Sequence, residues 1–295
     1  MREAFIEKRF NHSSKVIIEQ ANEIISEYQE MGLVLTVRQL YYQFVSRDYI
    51  PNTMRSYKRI VNIVNDARLA GLISWHAIED RTRNLVSMAH WDKPSDIMET
   101  VVSQYTTNKW KDQDSYIEVW IEKEALTGVI SQICNQVEVP YFACRGYVSQ
   151  SEVYNAAKRL KRKCLEGKQV IVLHLGDLDP SGMDMTRDNQ DRLELLSNGS
   201  EIHVKRIALN MDQVHQYNPP PNPAKLTDSR CSAYIKEFGT SSWELDALSP
   251  AVIRDLIDAH VALYRDEEVW AASTEKQEDG REKLQECLNF LEEQE

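Results

Sequence analysis

The chain has 295 residues, with 35 Lys+Arg against 46 Asp+Glu and a formal net charge of −11 at pH 7. That length accommodates one large domain or two ordinary ones, each able to bury a core. The sequence has no run of about 18 apolar residues, which excludes a membrane-spanning helix. MREAFIEKRFNHSS has no apolar segment of the secretory type. Cys134, Cys144, Cys164, Cys231 and Cys287 are scattered, and the absence of a CxxC pair argues against a zinc knuckle or a disulfide framework. The expected setting is reduced and cytoplasmic. Excess negative charge argues against a nucleic-acid partner, but it is localised: residues 241–295 hold 15 of the acidic residues and 5 of the basic ones. The remainder is nearly neutral with basic clusters, and local potential governs docking on phosphates.

In chain order, residues 13–31 place Val16, Ile17, Ala21, Ile24, Ile25 and Tyr28 at helical spacing behind Ser13 or Ser14 as a cap, with Gly32 as the stop. Thr36 then caps a second helix, VRQLYYQFVSR. A third runs from Asn52 to Ala70 and carries Arg55, Lys58, Arg59 and Arg68. LISWHAI (72–78) alternates as a strand does, and EDRTR reads as the turn after it. Three short helices followed by a strand pair outline a winged helix, whose third helix is the natural DNA reader. The plainer alternative for these basic residues is a solvated helix face. Residues 96–114, with a short helix after Ser95 and the polar stretch TTNKWKDQDS, read as a linker after a first domain of residues 1–95.

From residue 115 the pattern alternates strand and helix: SYIEVWI, KEALTGVISQI, VPYFAC, SEVYNAAKRLKRKCLEG, QVIVLHL, then MDMTRDNQDRLELL and EIHVKRIAL. Such alternation predicts an α/β domain with a mostly parallel sheet over residues 115–265. Ligand sites in such sheets lie at the carboxyl ends of the strands. Neither GxxxxGK[ST] nor GxGxxG occurs, so a phosphate-cradling glycine loop is excluded. Residues 211–240, with Pro219, Pro220, Pro221 and Pro223, read as irregular. Residues 266–295 read as an acidic helix or tail.

Glu122 closes the first of these strands, and GDLDPSG closes the strand QVIVLHL. Asp177 and Asp179 are two apart, so in an extended segment they point to the same side. Three carboxylates from two strand ends form a hard-oxygen site suited to Mg2+. A lone DxD is more often an Asx turn or a helix cap; the strand-end glutamate one βαβαβ span earlier is what favours the metal. His174, just before the DxD in a buried strand, reads as a core histidine. In TVRQLYYQF, Arg38 and Tyr42 share a helix face. A guanidinium one turn from a phenol favours the phenolate and grips a phosphate. The alternative is that Tyr41 and Tyr42 are core aromatics. The basic run KRLKRK (158–163) reads as a solvated face, and Lys205 and Arg206 as candidates to face a DNA channel.

IEVWIEKEAL followed by VIVLHLGDLDPSGMDM resembles the Toprim domain of topoisomerases, primases and related nucleases. Glu122, Asp177 and Asp179 fall on that family's glutamate and DxD positions. Arg145-Gly146-Tyr147 resembles the glycine-containing turn between them. Arg38-x-Leu40-Tyr41-Tyr42 ahead of a Toprim domain resembles the A subunit of topoisomerase VI and the meiotic double-strand-break transesterases, over about residues 30–250 in architecture. The resemblance implies that Tyr42 is the nucleophile, with Arg38 at the phosphate and Mg2+ on Glu122, Asp177 and Asp179. It implies double-stranded DNA as substrate, a phosphotyrosyl link to the 5′ end, and a homodimer in which Tyr42 of one chain meets the metal site of the other. A GHKL-type ATPase subunit is the partner to look for. Two departures stand out: the family's usual aspartate after the arginine is Gln39, and only 40 residues precede the tyrosine pair. The SWELDAL stretch (242–248) resembles an acidic segment near the end of the family's Toprim domain, with no role assigned. The competing functions are a Toprim nuclease using metal-activated water and a winged-helix DNA-binding factor that is inactive without a partner.

Overall fold

The computed structural model describes residues 2–30, 32–79, 88–224, 228 and 230–294. Its first part is helical: α1 (His12–Glu30), α2 (Val37–Ser46) and α3 (Met54–Leu69). Thr36 caps α2 through a reciprocal pair, its hydroxyl accepting from Gln39 N while Gln39 Oε1 accepts from Thr36 N. Thr53 caps α3 by accepting from Ser56 N. The apolar stripes of the helices meet in one core in which Ile24, Leu40, Phe44, Ile60 and Val64 are fully buried. Burying a side chain such as Phe44 contributes about 2–3 kcal/mol.

LISWHAI is not a strand. Gly71 turns the chain at φ 73°, Trp75–Ala77 form a 3-10 turn, and a single parallel bridge joins Leu35 to Ile78. Arg68 is the reason. Its Nη2 donates to the carbonyl of Trp75 at 2.9 Å, and its guanidinium stacks 4.7 Å from the Trp75 ring centroid, which curls the segment around the end of α3. The turn expected at EDRTR, and with it the second strand of a wing, falls on residues 80–87 and lies outside the described residues apart from Glu79.

The segment expected as a linker contains α4 (Pro94–Gln104). It packs against the long C-terminal helix rather than hanging between domains. Beyond it, β1 (Ser115–Ile121), α5 (Thr127–Gln136), β2 (Tyr141–Ala143), α6 (Gln150–Leu165), β3 (Gln169–Leu175), α7 (Pro180–Leu196) and β4 (Ile202–Ala208) alternate as expected. The four strands pair in parallel in the order β2-β1-β3-β4, with Glu118 opposite Val172 and Val172 opposite Val204. Burial along β1 and β3 is almost continuous, as a sheet covered on both faces requires. One face packs under α5 and α10 and the other under α6 and α7. The buried Glu118 is neutralised by Arg159, at 2.7 and 3.0 Å, and holds the Trp120 indole at 2.9 Å.

The described residues between 211 and 240 are more ordered than the prolines suggest. They contain α8 (Met211–Tyr217), β5 (Asn222–Pro223) and α9 (Cys231–Phe238). Asn210 and Gln213 form a capping box at the start of α8, and Asn218 ends it in the left-handed region. β6 (Ser241–Ser242) pairs with β5, then α10 (Pro250–Ala262) and α11 (Glu267–Glu292) complete the chain. Among the described residues no helix is long and apolar enough to cross a membrane.

Candidate active site

The carboxyl ends of β1 and β3 adjoin, and they bring Glu122 and Asp177 together. Asp177 N donates to Glu122 Oε2 at 2.9 Å. Gly176 makes this approach possible, since a Cβ on it would stand 2.9 Å from Glu122 Oε2 and 3.2 Å from His174 Cε1. Burial and the adjacent Asp177 charge push the Glu122 carboxyl up to about 7. Burial raises Asp177 as well, against the opposing pull of Lys123.

Asp179 is used differently. Its Oδ1 accepts from Gly182 N at 2.6 Å and from the Ser181 hydroxyl at 2.9 Å, so it caps α7, with Pro180 at the first helical position. A Cβ at Gly182 would lie 2.2 Å from the Asp177 carbonyl oxygen, so this turn admits only glycine there. Both aspartates line one cavity, but their contacts diverge. Between them Leu178 forms an antiparallel bridge with Trp243, and Asp179 is still extended, at φ −143° and ψ 171°.

That bridge carries Glu244 and Asp246 into the site, residues to which sequence reasoning gives no role. Lys123 Nζ, one residue past Glu122, lies 2.9 Å from Asp177 Oδ1, 3.1 Å from Glu244 Oε2 and 3.6 Å from Asp246 Oδ2. Leu245 N donates to Asp177 Oδ1 at 2.8 Å. Burial works against the Lys123 charge, but Asp177, Asp246 and Glu244 outweigh it and hold the ammonium protonated above the usual lysine range.

The face of α2 carrying Arg38 and Tyr42 closes on the same group. The Tyr42 hydroxyl donates to Glu244 Oε2 at 2.7 Å. Arg38 Nη2 lies 2.6 Å from Glu244 Oε2, and its Nε lies 2.8 Å from Asp246 Oδ2. Tyr42 is 4% exposed; burial, then its bond to Glu244, raise the phenol well above its ordinary value against the pull of Arg38 and Lys123. Burial pushes Glu244 up, but Lys123, Tyr42 and Arg38 overcome it and hold the carboxyl down at about 2. Tyr41 is directed elsewhere, donating to Asn52 Oδ1 at 2.8 Å. Arg38, Tyr42, Tyr57, Asp177, Asp179 and Glu244 line a cavity of about 300 Å³ where the helical unit meets the sheet edge. Glu122 opens instead onto a shallower depression beside Lys123, Arg145 and Gly146.

Two adjoining buried carboxylates, Glu122 pushed toward neutrality by burial and then by Asp177, offer the hard oxygen donors that a Mg2+ ion takes. Mg2+ commonly takes one or two carboxylates and keeps several waters. The described residues do not form a ready cage: no group of three His, Cys, Asp or Glu among them is placed to hold a metal.

Other expected residues lie away from this centre. Arg55, Lys58 and Arg59 are exposed on α3, opposite its buried face of Ile60, Ile63, Val64 and Ala67, and Arg59 reaches the Ser13 hydroxyl at 3.1 Å. Arg68 braces the 72–78 turn. Arg159 neutralises Glu118, and Lys163 pairs with Glu166 at 2.7 Å, so parts of KRLKRK are structural. Arg206 lies beneath the DxD turn and does not face a channel: it donates to the carbonyls of Gly176 at 2.9 Å, Asp177 at 2.6 Å and Gly182 at 3.0 Å. His174 is fully buried, with Nδ1 2.9 Å from the Thr186 hydroxyl, and burial and then Arg206 hold it neutral with its pKa near 3. In comparisons with known proteins, the chain matches no family model and no curated protein.

Proposed function

We propose that the protein is a DNA-cleaving transesterase of the topoisomerase VI A type, with a winged-helix-like tyrosine unit and a Toprim-like sheet. The observation that carries this reading is the contact of the Tyr42 hydroxyl with Glu244 at 2.7 Å, because Glu244 shares Lys123 with Asp177. A tyrosine, an arginine and the acidic end of a parallel sheet thereby share one charge network. Tyr42 is the nucleophile: its hydroxyl gives up its proton to solvent, and Oη bonds to phosphorus as the P–O3′ bond breaks. The 5′ phosphate stays on tyrosine, the polarity the family resemblance implies. The 3′ oxygen leaves with the bonding electron pair and takes a proton from water. Arg38, whose fork suits a phosphate, exchanges its carboxylate partners for the scissile group. Glu122 and Asp177 are the residues that would hold a Mg2+ ion, which would supply positive charge at the scissile phosphate. Double-stranded DNA is the substrate; a homodimer cuts both strands, and a GHKL-type ATPase is the candidate partner for strand passage.

One observation favours a second reading. Burial raises the Tyr42 phenol, which suits a hydrogen-bond donor better than a nucleophile. In that reading the protein is a Toprim-type nuclease that hydrolyses the phosphodiester with water, and Mg2+ on Glu122 and Asp177 would supply the Lewis acidity. Supercoiled plasmid incubated with protein and Mg2+, denatured in detergent and digested with protease, separates the two. Protein-linked breaks lost in Tyr42→Phe and in Asp177→Ala are the expected result. Breaks without attached protein, retained in Tyr42→Phe, would replace it with hydrolysis.

A further inference from the structure

We propose that Lys123 is a catalytic residue, a built-in cation that stands where a second metal ion would stand and meets the scissile phosphate. The inference rests on the transesterase reading for its substrate and deepens it. Lys123 Nζ lies among three carboxylates from two other segments, 2.9 Å from Asp177 Oδ1, 3.1 Å from Glu244 Oε2 and 3.6 Å from Asp246 Oδ2. Such a set of hard oxygens is what a divalent cation otherwise takes. Asp177 lies between two cation positions: its N–H donates to Glu122 Oε2 at 2.9 Å, and its Oδ1 faces Lys123. Paired-metal sites use two such neighbouring positions to clamp the oxygens of one phosphate.

Charge sets the number of ions. Glu122, Asp177, Glu244 and Asp246 bring four negative charges when ionised, and Lys123 and Arg38 bring two positive ones. One divalent ion offsets the remainder, and a second would leave a buried excess of positive charge, which is strongly unfavourable. The geometry also leaves the lysine a hand for substrate. An ammonium has three N–H groups. Asp177 and Glu244 take two, and Asp246, at 3.6 Å, is beyond hydrogen-bond reach. The Lys123 side chain keeps 20% exposure and lines the shallow depression with Glu122, Arg38, Arg145 and Gly146. Its third N–H therefore serves a phosphate oxygen entering from that side while Asp177 and Glu244 keep their cation. No buried carboxylate loses its partner, and the role is the same whichever chain supplies the tyrosine. A donor fixed in advance in this way stabilises charge as it develops on the phosphate.

The test uses the full-length chain with Mn2+ as the probe ion, counted by electron paramagnetic resonance. Wild type is expected to bind one ion per chain and Lys123→Ala two, because alanine vacates the three carboxylates. Lys123→Arg, which keeps the charge, is expected to bind one. A second ion on wild type would overturn the inference, and that count holds even where Lys123→Ala fails to fold. A single ion on folded Lys123→Ala, with folding read by circular dichroism, would overturn it as well. With supercoiled plasmid, the adduct rate of Lys123→Ala is expected to fall on the order of a hundredfold at limiting Mn2+. It should recover as the second position fills, with a steeper dependence on Mn2+ than wild type. A wild-type rate in Lys123→Ala at limiting Mn2+ would overturn the catalytic role and leave the transesterase reading intact. Protein-free breaks in place of adduct, with the same Mn2+ dependence, would overturn the transesterase reading and leave the lysine's role standing. Absence of any break in wild type would overturn both.

Discussion

Lys123 Nζ stands 2.9 Å from Asp177 Oδ1, so the cation that neutralises the aspartate after β3 comes from the residue following β1. One ammonium thereby ties together two strand ends and, through Glu244, the tyrosine helix. Lys123→Met would leave Asp177, Glu244 and Asp246 facing one another with only Arg38 between them. Removing one partner of a buried charge cluster costs about 3–5 kcal/mol. We expect a lower urea midpoint with unchanged m-value. We further expect Mg2+ to raise the melting temperature of Lys123→Met more than that of wild type, because the ion then fills the role of the lost ammonium. An equal Mg2+ effect on both proteins would argue against cation binding at Glu122 and Asp177.

The glycines at this edge give a sharper structural prediction. Alanine at position 182 would drive its methyl into the Asp177 carbonyl, a contact of 2.2 Å with backbone that has no free path of retreat. Alanine at position 176 meets side chains alone: Glu122 Oε2 at 2.9 Å, His174 Cε1 at 3.2 Å and Arg206 Nη1 at 3.3 Å. Gly182→Ala is therefore expected to destabilise by about 2 kcal/mol or more and to dismantle the turn that aims Asp177. Gly176→Ala should destabilise less, because side chains rather than backbone must give, yet turn Glu122 away from Asp177. Chemical denaturation of the two variants checks the ordering, and a reversed order would mean that the turn is not held as described.

Much of this edge is legible in the sequence, because the signals are local. A glutamate closing an apolar strand and an aspartate pair followed by Pro-x-Gly each declare a strand end within a few residues. Glu244 and Asp246 are not legible in the same way. SWELDAL stands out by resemblance, but its role depends on the pairing of Leu178 with Trp243, a contact across 65 positions that the stretch itself does not declare. LISWHAI misleads because Ile73, Ala77 and Ile78 are buried whether the segment is a strand or a turn around Arg68; alternation reports burial, not hydrogen bonding. α8 has a readable signal in the Asn210–Gln213 capping box, which the neighbouring prolines outweigh in a composition-based reading.

Glu122 and Glu244 impose opposite pH dependences on stability. The folded-state value of Glu122, about 7, lies above its ordinary value of 4.5. The folded form therefore binds this proton more tightly than the unfolded chain, and stability is lost as pH rises from 4.5 through 7. Glu244, held at about 2, contributes stability that is present above 4.5 and lost as pH falls toward 2. Glu122→Gln is accordingly expected to stabilise the protein relative to wild type at pH 8 and to have little effect at pH 4.5. Glu244→Gln is expected to destabilise at pH 8, with the difference shrinking below pH 4. Urea titrations at these pH values check both signs, and saturating Mg2+ should abolish the gain from Glu122→Gln by using the ionised carboxylate.

The acidic C-terminal helix is a structural part of the protein, and its removal should be felt as lost stability before anything else. α11 lies along α4, and Gly280 is where Tyr105 crosses it: a Cβ there would stand 2.5 Å from the tyrosine ring. Buried Gln277 accepts from Thr107 N at 3.0 Å, and Arg281 donates to the Tyr105 carbonyl at 3.0 Å. Trp270 covers Trp110 edge-on at 5.9 Å, with Lys109 and Arg265 against the Trp270 ring. Deleting residues 266–295 would therefore uncover Trp110, orphan Thr107 N and strip α4 of its partner. We expect a markedly lower melting temperature and binding of a hydrophobic dye. Gly280→Val, which changes no charge, should reproduce much of the effect. If the deletion instead melted like wild type while its DNA affinity rose at low salt, the helix would be an electrostatic shield rather than a support, because only a charge effect would fade as salt is added.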